Sequence, residues 1–172
     1  HRDIKHPNVF LAEADGELLV KVLDFGVARF GDAALDMSTK TGALIGTPFF
    51  MSPEQHMNPK GIDHRADLWS VAVVAYACLT GELPFKGETI TSLGVAILDG
   101  KRAPVRAKRP ELPMAIDVWM DRALSKDPAQ RYPTAKELAD AFDRARTASA
   151  NHAPASAGPA SLAARPGAAS LP

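Results

Sequence analysis

The chain has 172 residues, and its 20 basic and 20 acidic side chains cancel to a formal charge of zero at pH 7. This length allows one domain with a hydrophobic core, and the balanced charge excludes a global electrostatic attraction to nucleic acid or membranes. The single cysteine, Cys78, lies in an apolar run, which predicts a small buried side chain and a reducing environment. The longest apolar stretch, residues 68–79, is shorter than the ~20 residues that a membrane span needs.

The first predicted element is a β-hairpin over residues 9–22. Two apolar segments flank the sequence Glu13-Ala14-Asp15-Gly16, and Asp-Gly is a strong signal for a tight turn. Residues 32–47 show no regular spacing of apolar side chains that would indicate a helix or a strand. A long irregular connection of this kind within a compact domain is usually functional or mobile.

Four helices are predicted after this connection. Residues 63–80 are apolar on nearly every face, which indicates a helix that is buried all round and that ends at Gly81. Residues 90–98 and 114–124 have apolar side chains near helical spacing. A last helix over residues 134–146 begins with the capping-box pattern Thr134-Ala135-Lys136-Glu137. The predicted fold class is therefore α+β and mainly α, with a small hairpin followed by helices.

Beyond residue 146 the composition changes to alanine, proline, serine and glycine with almost no charge. Such a segment cannot build a core, so we predict a disordered linker or tail over residues 147–172 and a folded domain over residues 1–146.

The residues whose side chains are best suited to take part in a reaction lie at the start of the chain. The segment from His1 to Asn8 reads HRDIKHPN and is followed by Asp24-Phe25-Gly26. Together these segments supply two carboxylates, an ammonium group and an amide, the set needed to orient a hydroxyl and to hold magnesium on a nucleotide phosphate. Because the chain begins without Met in the middle of this motif, we expect it to be a fragment.

An ordered series of motifs extends from these residues to the last helix. It continues with Gly46-Thr47-Pro48, then MSPE at 51–54, DLWS at 67–70, GELPF at 81–85, and Asp127-Pro128 with Arg131. In this order the motifs resemble the C-terminal lobe of a eukaryotic-like, bacterial-type serine/threonine protein kinase, from the catalytic loop onward. The resemblance implies that the chain has the fold of that lobe.

The resemblance implies ATP and Mg²⁺ as cofactors and proteins with serine or threonine acceptors as substrates. Asp3 would accept the hydroxyl proton and orient the attacking oxygen, and Lys5 would place its charge against the γ-phosphate. Asn8 and Asp24 would be ligands of Mg²⁺. Kinases that act on serine or threonine carry a lysine at the position of Lys5 and a threonine at that of Thr47, which would position the substrate.

Arg2, which precedes the catalytic aspartate, implies control by phosphorylation of the following loop. A phosphate with a charge of about −1.5 to −2 can order a loop through bidentate bonds to an arginine. The expected acceptors are Thr39 and Thr41, followed by Ser38; the alternative interpretation is polar loop filler. Modification of the threonines by the kinase itself would involve its self-association.

Other matching residues are expected to be structural. By resemblance, Glu54 and Arg131 form a buried ion pair, and Asp67 accepts backbone N–H groups of the catalytic loop. The remaining structural positions are His1, Phe25 and Gly26, with His1 packed against Phe25.

Two weaker features leave alternatives open. Five basic residues and no acid lie between Lys101 and Arg109, which indicates either a docking patch for acidic partners or a solvated loop. His56, His64 and His152 lack metal-ligand spacing, so we interpret them as structural or surface residues.

The sequence contains no GxGxxG phosphate loop, and no strand lysine of the kinase N-terminal lobe is recognisable. We therefore expect this chain alone to be inactive and poorly soluble, and we expect the gene that it comes from to encode an active kinase. The alternative is a noncatalytic interaction module, but such a module has no chemical need for the complete set of Asp3, Lys5, Asn8 and Asp24. A third function, a small-molecule phosphotransferase, is disfavoured by residues 47–54.

We expect a cytoplasmic location, with no nucleic-acid partner and no membrane contact by this segment. By analogy, the full-length protein could be anchored in a membrane beyond the tail.

Overall fold

The computed structural model describes residues 1–24, 47–57 and 61–148, with the backbone alone at residue 47. The predictions for Phe25, Gly26, Ser38, Thr39, Thr41 and the tail lie outside the described residues. Within these ranges the chain forms one β-hairpin and five α-helices, in agreement with a mainly helical α+β fold.

The hairpin consists of β1 (Val9–Ala14) and β2 (Glu17–Val22). The strands are antiparallel, with Val9 opposite Val22 at the open end. At the turn, Asp15 and Gly16 have φ angles of 55° and 79°, and two positive values favour the Asp-Gly pair. The predicted hairpin and its turn are therefore confirmed. Its apolar side chains remain largely exposed, those of Phe10, Leu11, Leu18, Leu19, Val20 and Val22 among them.

The helices are α1 (Pro53–Met57), α2 (Arg65–Thr80), α3 (Ile90–Asp99), α4 (Met114–Ala123) and α5 (Ala135–Thr147). Helices α2 to α5 confirm the four predicted ones to within two residues at each end. Gly81 ends α2 in the left-handed conformation, where its N–H donates to the Ala77 carbonyl oxygen at 2.8 Å. Thr134 accepts the N–H of Glu137 and so caps α5 as predicted.

The core is built around α2. Trp69 is fully buried and stacks on Phe85 with 5.6 Å between ring centroids. Helices α3, α4 and α5 add the buried side chains Leu93, Ile97, Ile116, Met120 and Leu138. The α4–α5 pair is fixed by the Trp119 ring N–H, which donates to the Leu138 carbonyl oxygen at 2.9 Å.

The prediction that α2 is buried all round is wrong on one face. Cys78, predicted to be buried, is exposed, and so is Val71. These residues are seven positions apart, which places them two turns apart on one side of the helix. No described element packs over that side. Among the described helices, none has both the length and the apolar character required to cross a bilayer.

Candidate functional site

A polar cluster is formed by the irregular segment 1–5 and the helical turn His6–Asn8. Lys5 Nζ donates to Asp3 Oδ2 at 2.9 Å. Asn8 Nδ2 donates to the same oxygen at 3.2 Å and to the main-chain oxygen of Asp3 at 2.9 Å. Asn8 is buried, and its planar amide therefore directs the side-chain oxygen away from Asp3. The structure thus brings together three of the predicted site residues.

The second carboxylate oxygen of Asp3 has a different environment. Oδ1 is buried, and no donor among the described residues reaches it. A buried acceptor without a partner costs free energy, so this oxygen favours an incoming hydroxyl or N–H group. A hydroxyl could therefore donate to Oδ1, while Lys5 and Asn8 hold Oδ2, once the residues that cover Oδ1 move aside.

Asp24 lies two residues after the end of β2, and the backbone before it contacts the same cluster. The preceding residue, Leu23, donates its N–H to the Asn8 carbonyl oxygen at 2.8 Å, and His1 Nε2 lies 3.1 Å from the Leu23 carbonyl oxygen. Asp24 has a φ of 56°, in the left-handed region that non-glycine residues rarely adopt. Two contacts therefore fix the backbone that presents its carboxylate.

The donor set fits a magnesium ion. Asn8 and Asp24 offer one amide oxygen and one carboxylate, and Mg²⁺ commonly takes one or two protein ligands together with water and phosphate oxygens. In the part of the chain that the structure describes, no cluster of three or more His, Cys, Asp or Glu side chains is arranged to hold a metal. An ion at Asn8 and Asp24 would thus depend on ligands from a nucleotide and water.

Asp67 of α2 holds the first two residues of the polar segment. Its Oδ1 accepts the backbone N–H of Arg2 at 2.7 Å, and its Oδ2 lies 2.8 Å from the backbone nitrogen of His1. Arg2 has a φ of 68°, and such a conformation at a non-glycine residue costs on the order of 1 kcal/mol or more. The two contacts with Asp67 help to hold this strained turn in place, next to Asp3.

The segment Thr47–Phe50 lies beside the same turn. Phe50 and Asp3 line one narrow crevice, and the rings of His6 and Phe50 are 5.4 Å apart. Ser70 of α2 donates its hydroxyl to the Phe50 carbonyl oxygen at 2.8 Å. Sequence analysis missed this contact; its signal is a serine within the apolar stretch of residues 68–79. The prediction that Thr47 positions the substrate depends on its side chain, which lies outside the described part of the structure.

Glu54 and Arg131 form the predicted ion pair, with two N–H···O bonds of 2.7 Å each. The guanidinium is fully buried, whereas 21% of the Glu54 side chain is exposed. Burial raises the pKa of Glu54, but hydrogen bonds from Arg131 outweigh this and hold the pKa below its usual value. The pair joins α1 to the chain that precedes α5.

The basic stretch from Lys101 to Arg109 is largely neutralised by nearby acids. Lys108 and Lys86 both bind Glu82, and their hydrogen bonds lower its pKa to about 2. Three more ion pairs join Lys101 to Asp99, Arg102 to Asp121 and Arg109 to Glu111. This pairing favours the solvated-loop interpretation over a docking patch for acids.

Comparison with known proteins identifies the family. The model of the protein kinase domain family matches residues 1–142. The chain belongs to the protein kinase family.

The kinase segment is 41% identical over 133 residues to the serine/threonine-protein kinase Pkn1 of Myxococcus xanthus, covering 77% of this chain and 19% of that protein. It is 36% identical over 138 residues to the serine/threonine-protein kinase PknB of Mycobacterium tuberculosis, covering 80% and 21%. These similarities confirm the predicted resemblance to bacterial serine/threonine kinases.

A further relative carries a different name. The tyrosine-protein kinase MasK of Myxococcus xanthus is 38% identical over 143 residues, which cover 83% of this chain and 21% of that protein. The chain spans about a fifth of the length of these curated relatives. The type of acceptor residue therefore does not follow from similarity alone.

Proposed function

We propose that this segment is the C-terminal lobe, residues 1–146, of a protein kinase that transfers the γ-phosphate of ATP to serine or threonine hydroxyls of proteins. The observation that carries the proposal is the geometry of the Asp3 carboxylate. One oxygen is held by Lys5 and Asn8, and the other is buried without a partner among the described residues. A substrate hydroxyl that donates to Oδ1 would have its lone pair directed toward the phosphate.

In this proposal the contribution of Asp3 is mainly orientation. Phosphoryl transfer requires little covalent chemistry from the protein and much positioning, so orientation of the attacking oxygen outweighs full proton removal before attack. Lys5 places a positive charge next to the same carboxylate, where the transferring phosphoryl group would pass. Charge stabilisation at that position lowers the barrier for phosphoryl transfer.

Asn8 and Asp24 are the residues that would hold Mg²⁺ against the nucleotide. The ion, when bound, neutralises charge on the phosphates of ATP. The chain's own contribution is to keep the two oxygens on adjacent segments, through the hydrogen bond of Leu23 to Asn8.

We propose that the segments around Asp3 determine which type of residue accepts the phosphate and how the kinase activity is regulated. The combination of Lys5 with Thr47 supports serine or threonine as acceptor. Arg2 has an exposed side chain beside the catalytic aspartate. Arg2 would bind the loop after its phosphorylation. The acceptors would be Thr39 and Thr41, followed by Ser38, and a second molecule of the kinase would phosphorylate them when two molecules associate.

The 172 residues alone are proposed to be inactive, because they contain no Gly-rich loop and no strand lysine to hold the α- and β-phosphates. The complete protein would act in the cytoplasm. The second candidate function is a noncatalytic interaction module. The exposed apolar side chains of the hairpin support a surface that binds another protein segment, but the hydrogen-bonded Asp3 cluster favours catalysis.

The test is phosphate incorporation from labelled ATP into a serine- and threonine-containing protein substrate. We expect incorporation by the complete gene product, its loss in Asp3→Asn, and none by the 172-residue chain. Asp121→Asn is the matched control, because Asp121 pairs with Arg102, neither residue contacts the Asp3 cluster, and the rate should be unchanged. Equal rates for Asp3→Asn and the wild-type protein would refute the role of Asp3, and an inactive complete gene product would favour the noncatalytic function.

A further inference from the structure

The first turn of α1 contains a capping contact between Ser52 and Gln55. The sequence Ser52-Pro53-Glu54-Gln55 has the capping-box pattern, a serine followed three residues later by glutamine, with proline at the first helical position. Gln55 Oε1 accepts the backbone N–H of Ser52 at 2.9 Å and its hydroxyl at 3.0 Å. In the usual capping box the serine hydroxyl is an acceptor, whereas here it donates to the glutamine oxygen. One side chain therefore accepts both polar hydrogens of Ser52.

Ser52 is fully buried, with 0% of its surface exposed. Water therefore cannot replace Gln55 as the acceptor unless the chain around Ser52 opens. A buried donor without an acceptor costs more free energy than a typical hydrogen bond contributes. Gln55 therefore stabilises the closed position of Ser52, because it satisfies two such donors at once.

The position of Ser52 is important because the residues before it lie beside Asp3. The carbonyl oxygen of Phe50 accepts the Ser70 hydroxyl at 2.8 Å. Met51 lies between Phe50 and Ser52 and, together with Asp3, lines the same narrow crevice. The chain is thus held on one side of Met51 by the serine of α2 and on the other side by the glutamine of α1.

We propose that Gln55 is a positioning residue for the protein substrate, because it holds Met51, through Ser52, in the wall of the crevice beside Asp3. This inference rests on the proposed kinase function. Without the acceptor on Gln55, the segment would populate open conformations in which this wall is displaced. The apparent affinity for the substrate falls with the fraction of closed molecules. The residues proposed to hold the nucleotide and Mg²⁺ lie on a different part of the chain, residues 5–24, so ATP binding should change less.

The test compares Gln55→Met with the wild-type complete gene product. Methionine is similar to glutamine in length, but its thioether is a weak acceptor and cannot satisfy both donors of Ser52. We expect the KM for a peptide substrate to rise at least about fivefold in this variant, because the closed fraction falls. The KM for ATP and kcat should remain within about twofold of the wild-type values. An unchanged KM for the peptide, or equal rises in the two KM values, would overturn the inference.

Gln130→Met is the matched control, since Gln130 is exposed in the turn Pro128–Gln130. It makes the same chemical change and should leave the KM for the peptide as it is in the wild type. A rise equal to that of Gln55→Met would overturn the inference, because the effect would then not depend on the contact with Ser52.

Gln55→Glu keeps an oxygen acceptor for both donors of Ser52, so it should fold and have a peptide KM within about twofold of the wild type. This variant tests the inference even if Gln55→Met does not fold. A rise of about fivefold or more in Gln55→Glu would overturn the role assigned to the acceptor.

Hydrogen exchange of the Met51 amide does not depend on catalysis. This amide donates to the Pro48 carbonyl oxygen at 3.3 Å, so its exchange reports on the segment and not on the replaced side chain. It should accelerate in Gln55→Met and not in Gln55→Glu or Gln130→Met. Equal exchange rates in all these proteins would overturn the positioning role. A wild-type complete gene product without kinase activity would overturn the proposed function instead, so the two failures are distinguishable.

Discussion

Arg131 binds Glu54 across 77 residues of sequence and uses every N–H group that it has. Two of its five N–H groups bind the Glu54 carboxylate. The other three donate to the main-chain oxygens of Arg65, Ser125 and Lys126. The guanidinium carbon also lies 5.0 Å from the centre of the Trp69 ring. Arg131 therefore connects α1, α2 and the chain before α5.

Replacement of Glu54 by alanine should destabilise the kinase domain by about 3–5 kcal/mol, because a buried charge loses its partner. The measurement is urea denaturation of the wild-type and variant domains. Lys136→Ala is the control, since it removes an exposed pair with Asp140 and should have little effect. Similar losses in the two variants would contradict the role assigned to burial.

The same pair predicts a loss of stability in acid. The pKa of Glu54 in the folded protein is held below its usual value of 4.5. The stabilisation from this depressed pKa is therefore complete above about pH 4.5 and is lost as the pH falls through the folded-state pKa. Denaturation midpoints measured from pH 6 to pH 3 should fall less steeply in Glu54→Gln, which cannot titrate. Parallel curves would show that other carboxylates dominate.

Asp67→Ala should lower kcat by about tenfold to hundredfold, although Asp67 touches no substrate in the proposed mechanism. The substitution removes both acceptors for the backbone nitrogens of His1 and Arg2. The strained turn at Arg2 can then relax, and Asp3 loses its fixed position. Asp67→Asn retains one acceptor oxygen and should have an intermediate kcat. An unchanged kcat in both variants would show that other contacts hold the turn.

Asp24→Asn should raise the Mg²⁺ concentration needed for half-maximal activity, because a neutral amide is a weaker ligand than a carboxylate. Asp15→Asn is a close control: Asp15 is also exposed and has a φ of 55°, but it lies in the hairpin turn. Asparagine tolerates this conformation, so both backbones should be retained. Magnesium titrations of activity compare the variants, and an equal requirement in both would argue against Asp24 as a ligand.

The local features of the fold could be predicted from the sequence because their signals are local. Asp15-Gly16 fixes the hairpin turn, Gly81 ends α2, and Thr134 caps α5. The capping box at Thr89 was missed because its reciprocal partner is Ser92 rather than the usual glutamate or glutamine. The exposure of Cys78 could not be predicted, since periodicity shows that a helix is apolar but not which element covers each face.

For the candidate site, the identity of the clustered residues could be predicted from the sequence, but their backbone conformation could not. Asp3, Lys5 and Asn8 lie within one short motif, and the structure brings them together. The left-handed backbone of Arg2 and Asp24 could not be foreseen, because non-glycine residues adopt it uncommonly, although aspartate does so more often than most. His56 was interpreted as structural or surface, and the structure buries its Nε2 atom, which depends on how α1 packs against its neighbours.

A single turn of α2 binds three separate parts of the chain. Asp67 holds the turn at Arg2, Trp69 packs beneath Arg131, and Ser70 holds the Phe50 carbonyl. These residues are consecutive or nearly so, which means that unwinding this turn releases all three parts together. Inactivation and unfolding of the kinase domain should therefore occur at the same denaturant concentration, without an inactive but folded intermediate.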